Sequence, residues 1–306
     1  MRQAFVDTLT KLMRKDKRLI TITADMGFSV FEKMQKEFPL RFINSGATEQ
    51  ASVGIATGLS QSGFKVFLYS QAVFITMRCY EQVRLDISYN NVDVKLIGTA
   101  AGLSLNQLGI SHFALEDIAL MRLLPNMTIF TPGDPIEMQW AVNKAYEIKG
   151  PVYFRITKNG SQKIHSRPLN IKIGEVIKLT NGTKGTLFVS GGLLETALRV
   201  SQILKNKKTP INIFSIPTIN PLDRNRVIRE LKKTDNIFSL EEHYETGGLG
   251  SILAELIAKE SLAKKFYAFG IPHKFINRAG SYQYLLEHEC GLSADNIANK
   301  IYSFIS

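Results

Sequence analysis

The chain has 306 residues, 44% hydrophobic and 21% charged, a size and balance that suit two globular domains with sizeable cores. No apolar stretch approaches the roughly 20 residues needed to cross a bilayer, and Arg2, Asp7, Lys11, Arg14 and Lys15 break any signal-like run at the start. The net charge of +11, from 38 basic and 27 acidic residues, is spread in short runs such as Lys205, Lys207 and Lys208 without interleaved aromatics; this points to a solvated surface or small anionic ligands and away from nucleic acid.

Along the chain, short apolar runs alternate with helical patterns, the signature of α/β architecture. Residues 19–24 form a β-rich run ending in Asp25-Met26-Gly27. Helical length and periodicity follow over Glu49–Gln61, then again over 76–89 and 135–148. Runs at 64–69, 92–98, 128–131 and 152–156 lie between or beyond them, continuous enough for strands buried on both faces of a parallel sheet. Gly63 and Gly150 stand where helices must stop. After a polar connector over 158–168, strands are predicted at 185–190, 211–216, 237–240 and 266–270. Helices are predicted at 196–204, 224–234, Leu249–Lys259 and 295–304. The expectation is two α/β domains, 1–165 and 166–306, each a mostly parallel sheet flanked by helices. Cys79 and Cys290 lie far apart with no metal-type spacing, which suits a reduced, cytoplasmic compartment.

The stretch 45–59 is the most informative. Read alone, it is a helix opening with a polar cap and an acid, Glu49, in its dipole-favoured first turn. Ala51, Gly54 and Gly58 would permit close approach of another helix. Downstream come Phe74, the run Arg78-Cys79-Tyr80-Glu81-Gln82-Val83-Arg84, and Ala101-Gly102-Leu103-Ser104. Ser111-His112 opens a stretch to Arg122, followed by Leu124-Pro125-Asn126-Met127 and Thr131-Pro132-Gly133-Asp134. In this order the motifs resemble the pyrimidine-binding domain of transketolases, including their two-subunit forms. Asn220-Pro221-Leu222-Asp223, Glu241-Glu242-His243 and Gly247-Gly248-Leu249-Gly250 resemble the transketolase C-terminal domain. The resemblance runs from about residue 4 to 304; each motif is weak alone, and the ordered set is specific.

The resemblance implies that Glu49 hydrogen-bonds the ring nitrogen of the aminopyrimidine of thiamine diphosphate. The imino tautomer so favoured takes the proton from C2, giving the carbanion that attacks a ketose carbonyl. Such a carboxyl needs a dry setting, with which the small and apolar residues after Glu49 are compatible. It also implies cofactor contacts from Asp25, Phe74 and Arg78, a histidine at the substrate funnel in His112, and substrate-phosphate contacts from Ser29 and Lys158. Each has a plainer reading: Asp25 and Ser29 as turn formers, Phe74 as core, His112 as a structural histidine. Lys158 stands where the family has an arginine, and as a point charge it selects phosphate geometry less strictly. His243, beside two acids, reads as structural or at a subunit contact.

Departures from the family pattern bear on substrate. Asn106-Gln107-Leu108-Gly109 replaces the usual Gly-Glu-Asp-Gly, Ala100 replaces a substrate-contacting histidine, and Gln71 and Met77 stand where aromatics often flank the pyrimidine. A lost hydrogen bond to a substrate hydroxyl is worth about 1–3 kcal/mol, so an unusual donor ketose in specialised sugar metabolism is expected. The Gly-Asp-Gly…Asn segment that holds Mg²⁺ and the diphosphate in transketolases is missing; Gly133-Asp134 continues into Pro135 and belongs to another motif. No metal site is expected in this chain. A partner of similar size carrying the N-terminal, diphosphate-binding domain is implied, in an α₂β₂-like assembly acting on sugar phosphates. Competing readings are the β subunit of a 2-oxo-acid dehydrogenase, a relative of deoxyxylulose-phosphate synthase, and a non-catalytic scaffold subunit with a degenerate site.

Overall fold

The computed structural model describes residues 1–157 and 162–306. Twelve strands among the described residues build two sheets. The first has seven: β1 (Leu19–Thr23), β2 (Phe42–Asn44), β3 (Lys65–Gln71), β4 (Val94–Ala101), β5 (Thr128–Phe130), β6 (Val152–Thr157) and β10 (Thr218–Asn220), in the order β10-β5-β6-β4-β3-β1-β2. The second has β7 (Ile177–Thr180), β8 (Thr186–Val189), β9 (Asn212–Ser215), β11 (Asn236–Tyr244) and β12 (Lys265–Ile271), in the order β12-β11-β8-β9-β7. Only β10 and β7 run antiparallel to their neighbours. Central strands such as β1 and β6 are buried along their whole length, because helices cover both faces of a parallel sheet.

Three features differ from the sequence expectation. Arg2–Lys15 is a helix that buries Phe5, Val6, Leu9, Leu12 and Met13 on one face, so the charges that break the apolar run are its solvent side. The helix expected over 76–89 is interrupted: Phe74–Arg78 and Val83–Tyr89 are wide, π-type turns, with Cys79 between them in a non-helical conformation. Such wide turns recur at functional sites because they re-aim side chains. Lastly, β10 lies beyond residue 165 yet adds to the edge of the first sheet beside β5. Thr131 holds it there, its N–H donating to Pro217 O and its hydroxyl to Ile216 O.

The two halves therefore share a junction, and its polar centre is fully buried. Arg155 on β6 donates through Nε to both carboxylate oxygens of Asp117 at 3.0 and 2.8 Å, and the hydroxyl of Tyr153 donates to Asp117 at 2.7 Å. Through Nη2, Arg155 also reaches Ala114 O and Glu242 O. The carboxylate of Glu242, on β11, accepts from the Leu103 N–H at 2.7 Å and the Tyr282 hydroxyl at 2.8 Å. Burial pushes the Glu242 carboxyl above the usual range, and nearby Arg155 opposes that rise. Gly102 has φ +67°, and a Cβ there would fall 2.2 Å from a Glu242 oxygen, so both backbone conformation and space demand glycine. The connector between the halves is pinned by Asp134, which caps the helix Pro135–Glu147 through Glu137 N–H and accepts from the N–H groups of Ile164 and His165.

Candidate active site

In a parallel sheet the C-terminal ends of the strands share one edge, and ligands of α/β proteins bind there. The sequence-predicted residues all follow such ends. Asp25 and Ser29 come after β1, Glu49 after β2, Phe74 and Arg78 after β3, and His112 after β4. Lys158 follows β6 directly and lies outside the described residues.

Four of them form one chain of contacts. Glu49 is the first residue of the helix Glu49–Gln61 and is 5% exposed. Its Oε2 accepts from Arg78 Nη1 at 2.8 Å. The guanidinium carbon of Arg78 lies 4.4 Å from the centroid of the Phe74 ring. The His112 ring stands 5.4 Å from Phe74 at an interplanar angle of 69°. The hydroxyl of Ser111 and Nδ1 of His112 are 2.9 Å apart, one further hydrogen bond in the row.

The bonds at the start of this helix are few. Thr48, at the N-cap, makes no side-chain cap bond and donates instead to Ser45 O. Glu49 itself turns away from its own helix to a residue on another loop. A cap satisfies its own N–H groups; this carboxylate is paired with Arg78 instead. Next to the pair, burial pushes the Cys79 thiol up to about 12, with the Glu49 carboxylate adding to the rise, which favours the protonated thiol.

Asp25 and Ser29 do not join this row among the described residues. Both have left-handed backbones, φ +49° and +62°. Asp25 is tied to Asn44, which accepts from Asp25 N–H at 3.1 Å and from Gly46 N–H at 3.0 Å, coupling the loop after β1 to the one leading to Glu49. The Ser29 N–H donates to Glu32 within its own turn. Sequence reasoning passed over Asn44, although an asparagine before Ser-Gly is a common turn organiser. Ala100 also has a left-handed backbone, φ +55°, where the register of β4 with β6 slips. Leu108 is 55% exposed, so the residue in place of an acid presents an apolar surface on that loop. His243 is buried: it accepts from Ala119 N–H at Nε2 and bonds Tyr244 O through Nδ1, satisfied on both sides in a structural role.

Whether these residues suit thiamine diphosphate can be tested on the structure. A buried acid and an aromatic ring, both in contact with Arg78, are groups that an aminopyrimidine would use, and Gln71 at the end of β3 adds a buried amide oxygen with no partner among the described residues. Among the described residues there is no cluster of three His, Cys, Asp or Glu able to hold a metal, and no helix long and apolar enough to cross a membrane.

Two family models together cover most of the chain. The model of the transketolase pyrimidine-binding domain matches residues 1–162, and that of the transketolase C-terminal domain matches 174–297. A chain from Methanocaldococcus jannaschii, provisionally named a transketolase C-terminal section, is 35% identical over 98% of this chain and 95% of its own length. A subunit of the apulose-4-phosphate transketolase of Phocaeicola vulgatus is 30% identical over 99% of this chain and 97% of its own. A solved structure described as a split gene transketolase, inactive beta4 tetramer, is 32% identical with a TM-score of 0.91, covering 99% of this chain and 97% of that one. The chain belongs to the transketolase family and corresponds to the C-terminal subunit of its split members.

Proposed function

We propose that this member of the transketolase family is the C-terminal half of a two-chain, thiamine-diphosphate-dependent transketolase that moves a two-carbon ketol unit from a ketose to an aldose-type acceptor. The observation that carries the reading is Glu49, a buried carboxylate after β2 that is bridged by Arg78 to the face of Phe74. Thiamine diphosphate, when bound, supplies a nucleophilic carbon and an electron sink. Glu49 would hold a proton at the ring nitrogen of the aminopyrimidine, and Phe74 would give that ring a face to lie on. His112, paired with Ser111, would hold or move a proton at the substrate's oxygen. Asp25, Ser29 and Lys158 would serve the cofactor and substrate phosphate from the neighbouring loops.

A partner chain would carry the diphosphate-binding domain with its Mg²⁺, in an α₂β₂-like assembly in the cytoplasm. The exposed row Ala51, Gly54, Ile55 and Gly58 along the Glu49 helix supports this. A Cβ at either glycine would meet nothing within 4 Å, so the two glycines face no other helix among the described residues. The apolar Leu108 and the small Ala100 favour a donor other than the common ketose phosphates, in keeping with a relative named for apulose 4-phosphate.

The test is to purify the chain with the product of an adjacent gene encoding a Gly-Asp-Gly domain, add thiamine diphosphate and Mg²⁺, and screen donors. Ketol transfer is expected, with xylulose 5-phosphate and ribose 5-phosphate turned over poorly. Efficient turnover of that pair would defeat the specialised-donor part. Decarboxylation of pyruvate would identify the pair as a 2-oxo-acid dehydrogenase component instead.

A further inference from the structure

We propose that Arg78 and the aminopyrimidine ring of the cofactor compete for one place, so that cofactor binding is an exchange in which Arg78 leaves both Glu49 and the face of Phe74. The inference rests on the reading of Glu49 given above, and it replaces the direct cofactor contact that the resemblance implies for Arg78. A guanidinium is flat, with its N–H donors in the plane and exposed faces above and below. Arg78 uses both properties: Nη1 donates to Glu49 Oε2 at 2.8 Å, and the guanidinium carbon lies 4.4 Å from the Phe74 centroid. An aminopyrimidine whose ring nitrogen bonds Glu49 while its face rests on Phe74 makes the same pair of contacts, an in-plane donor on one and a face on the other. Phe74 already has His112 as its other ring neighbour, at 5.4 Å.

Arg78 is also the member of the pair that can leave. Its side chain is 49% exposed, whereas that of Glu49 is 6% exposed. Among the described residues, Glu49 is the only hydrogen-bond partner of the guanidinium. The Arg78 backbone stays anchored, because its carbonyl accepts from Gln50 Nε2 at 3.2 Å. Rotation of the side chain into solvent therefore gives up the Phe74 face and breaks no other hydrogen bond of its head group among the described residues. Glu49 cannot follow, and a buried carboxylate left alone is costly. The exchange thus favours a flat ring that brings its own in-plane donor. A ring without one would leave Glu49 unpaired and fail to displace Arg78.

The experiment measures the thiamine diphosphate Kd of the reconstituted two-chain complex at saturating Mg²⁺, for the wild type, Arg78→Met and Arg78→Gln. Loss of a half-exposed ion pair and a cation–π contact should tighten binding about 5- to 10-fold in both variants. Weaker or unchanged binding would make Arg78 a cofactor ligand or a bystander and overturn the exchange. A second readout needs no variant: the guanidinium NMR signal of Arg78 in isotope-labelled complex should move to a solvent-exposed, averaged position when cofactor is added. A signal that stays put overturns the proposal. If the wild-type complex bound no thiamine diphosphate at all, the assignment of Glu49 would fail and the exchange with it. Binding without tightening in the variants defeats the exchange alone.

Discussion

Replacing Glu49 by Gln is expected to slow C2-proton exchange of thiamine diphosphate in the reconstituted complex by about 10²- to 10⁴-fold, the usual worth of a placed acid–base group. The substitution keeps shape and leaves an oxygen that can accept from Arg78, so the fold of the loop and the assembly should persist. What it removes is the ability to hold and return a proton at the ring nitrogen. Exchange is followed by NMR of the cofactor's C2 proton in deuterated buffer, which isolates activation from the donor sugar. Exchange at the wild-type rate would favour the scaffold reading, in which the acid has no chemical work.

The second large effect lies at the junction. Arg155→Met should destabilise the chain by about 3–5 kcal/mol, the cost of leaving a buried charge without its partner. Asp117 is 0% exposed and Arg155 is 3% exposed. The arginine also satisfies the carbonyls of Ala114 and Glu242, one from each half of the chain. Denaturant unfolding of the full chain reads the loss directly. Pairing Arg155→Met with Asp117→Leu should recover part of it, because two apolar residues leave no orphaned charge. A single variant as stable as the wild type would mean that water reaches the junction. The functional link is short: the pair fixes the start of the helix Asp117–Arg122, five residues beyond His112.

Much of this was legible beforehand. The parallel strands announce themselves as uninterrupted apolar runs, and the Glu49 stretch carries both a helix start and a family motif. The spatial row from Glu49 to His112 follows once the strands are known to be parallel, since their loops then share an edge. Other features have no local signature. The helix Arg2–Lys15 hides because its charges fall between its core positions. A three-residue strand stopped by Pro221, such as β10, looks like loop until its neighbour β5 is placed. The wide turns at Phe74–Arg78 look like ordinary helix in sequence, yet they stand where Arg78 meets Phe74 and Glu49. Neither that pair nor Arg155 with Asp117 could be matched from residues 29 and 38 positions apart.

On the proposed function this chain supplies the activating acid and depends on another chain for the diphosphate grip. Its most direct test is ketol transfer, with thiamine diphosphate and Mg²⁺ present, by this chain alone, by the Gly-Asp-Gly partner alone, and by the two mixed. Activity is predicted only in the mixture, rising to a plateau at one partner per chain. Turnover by this chain alone, at the rate of the mixture, would mean that it needs no partner for the diphosphate.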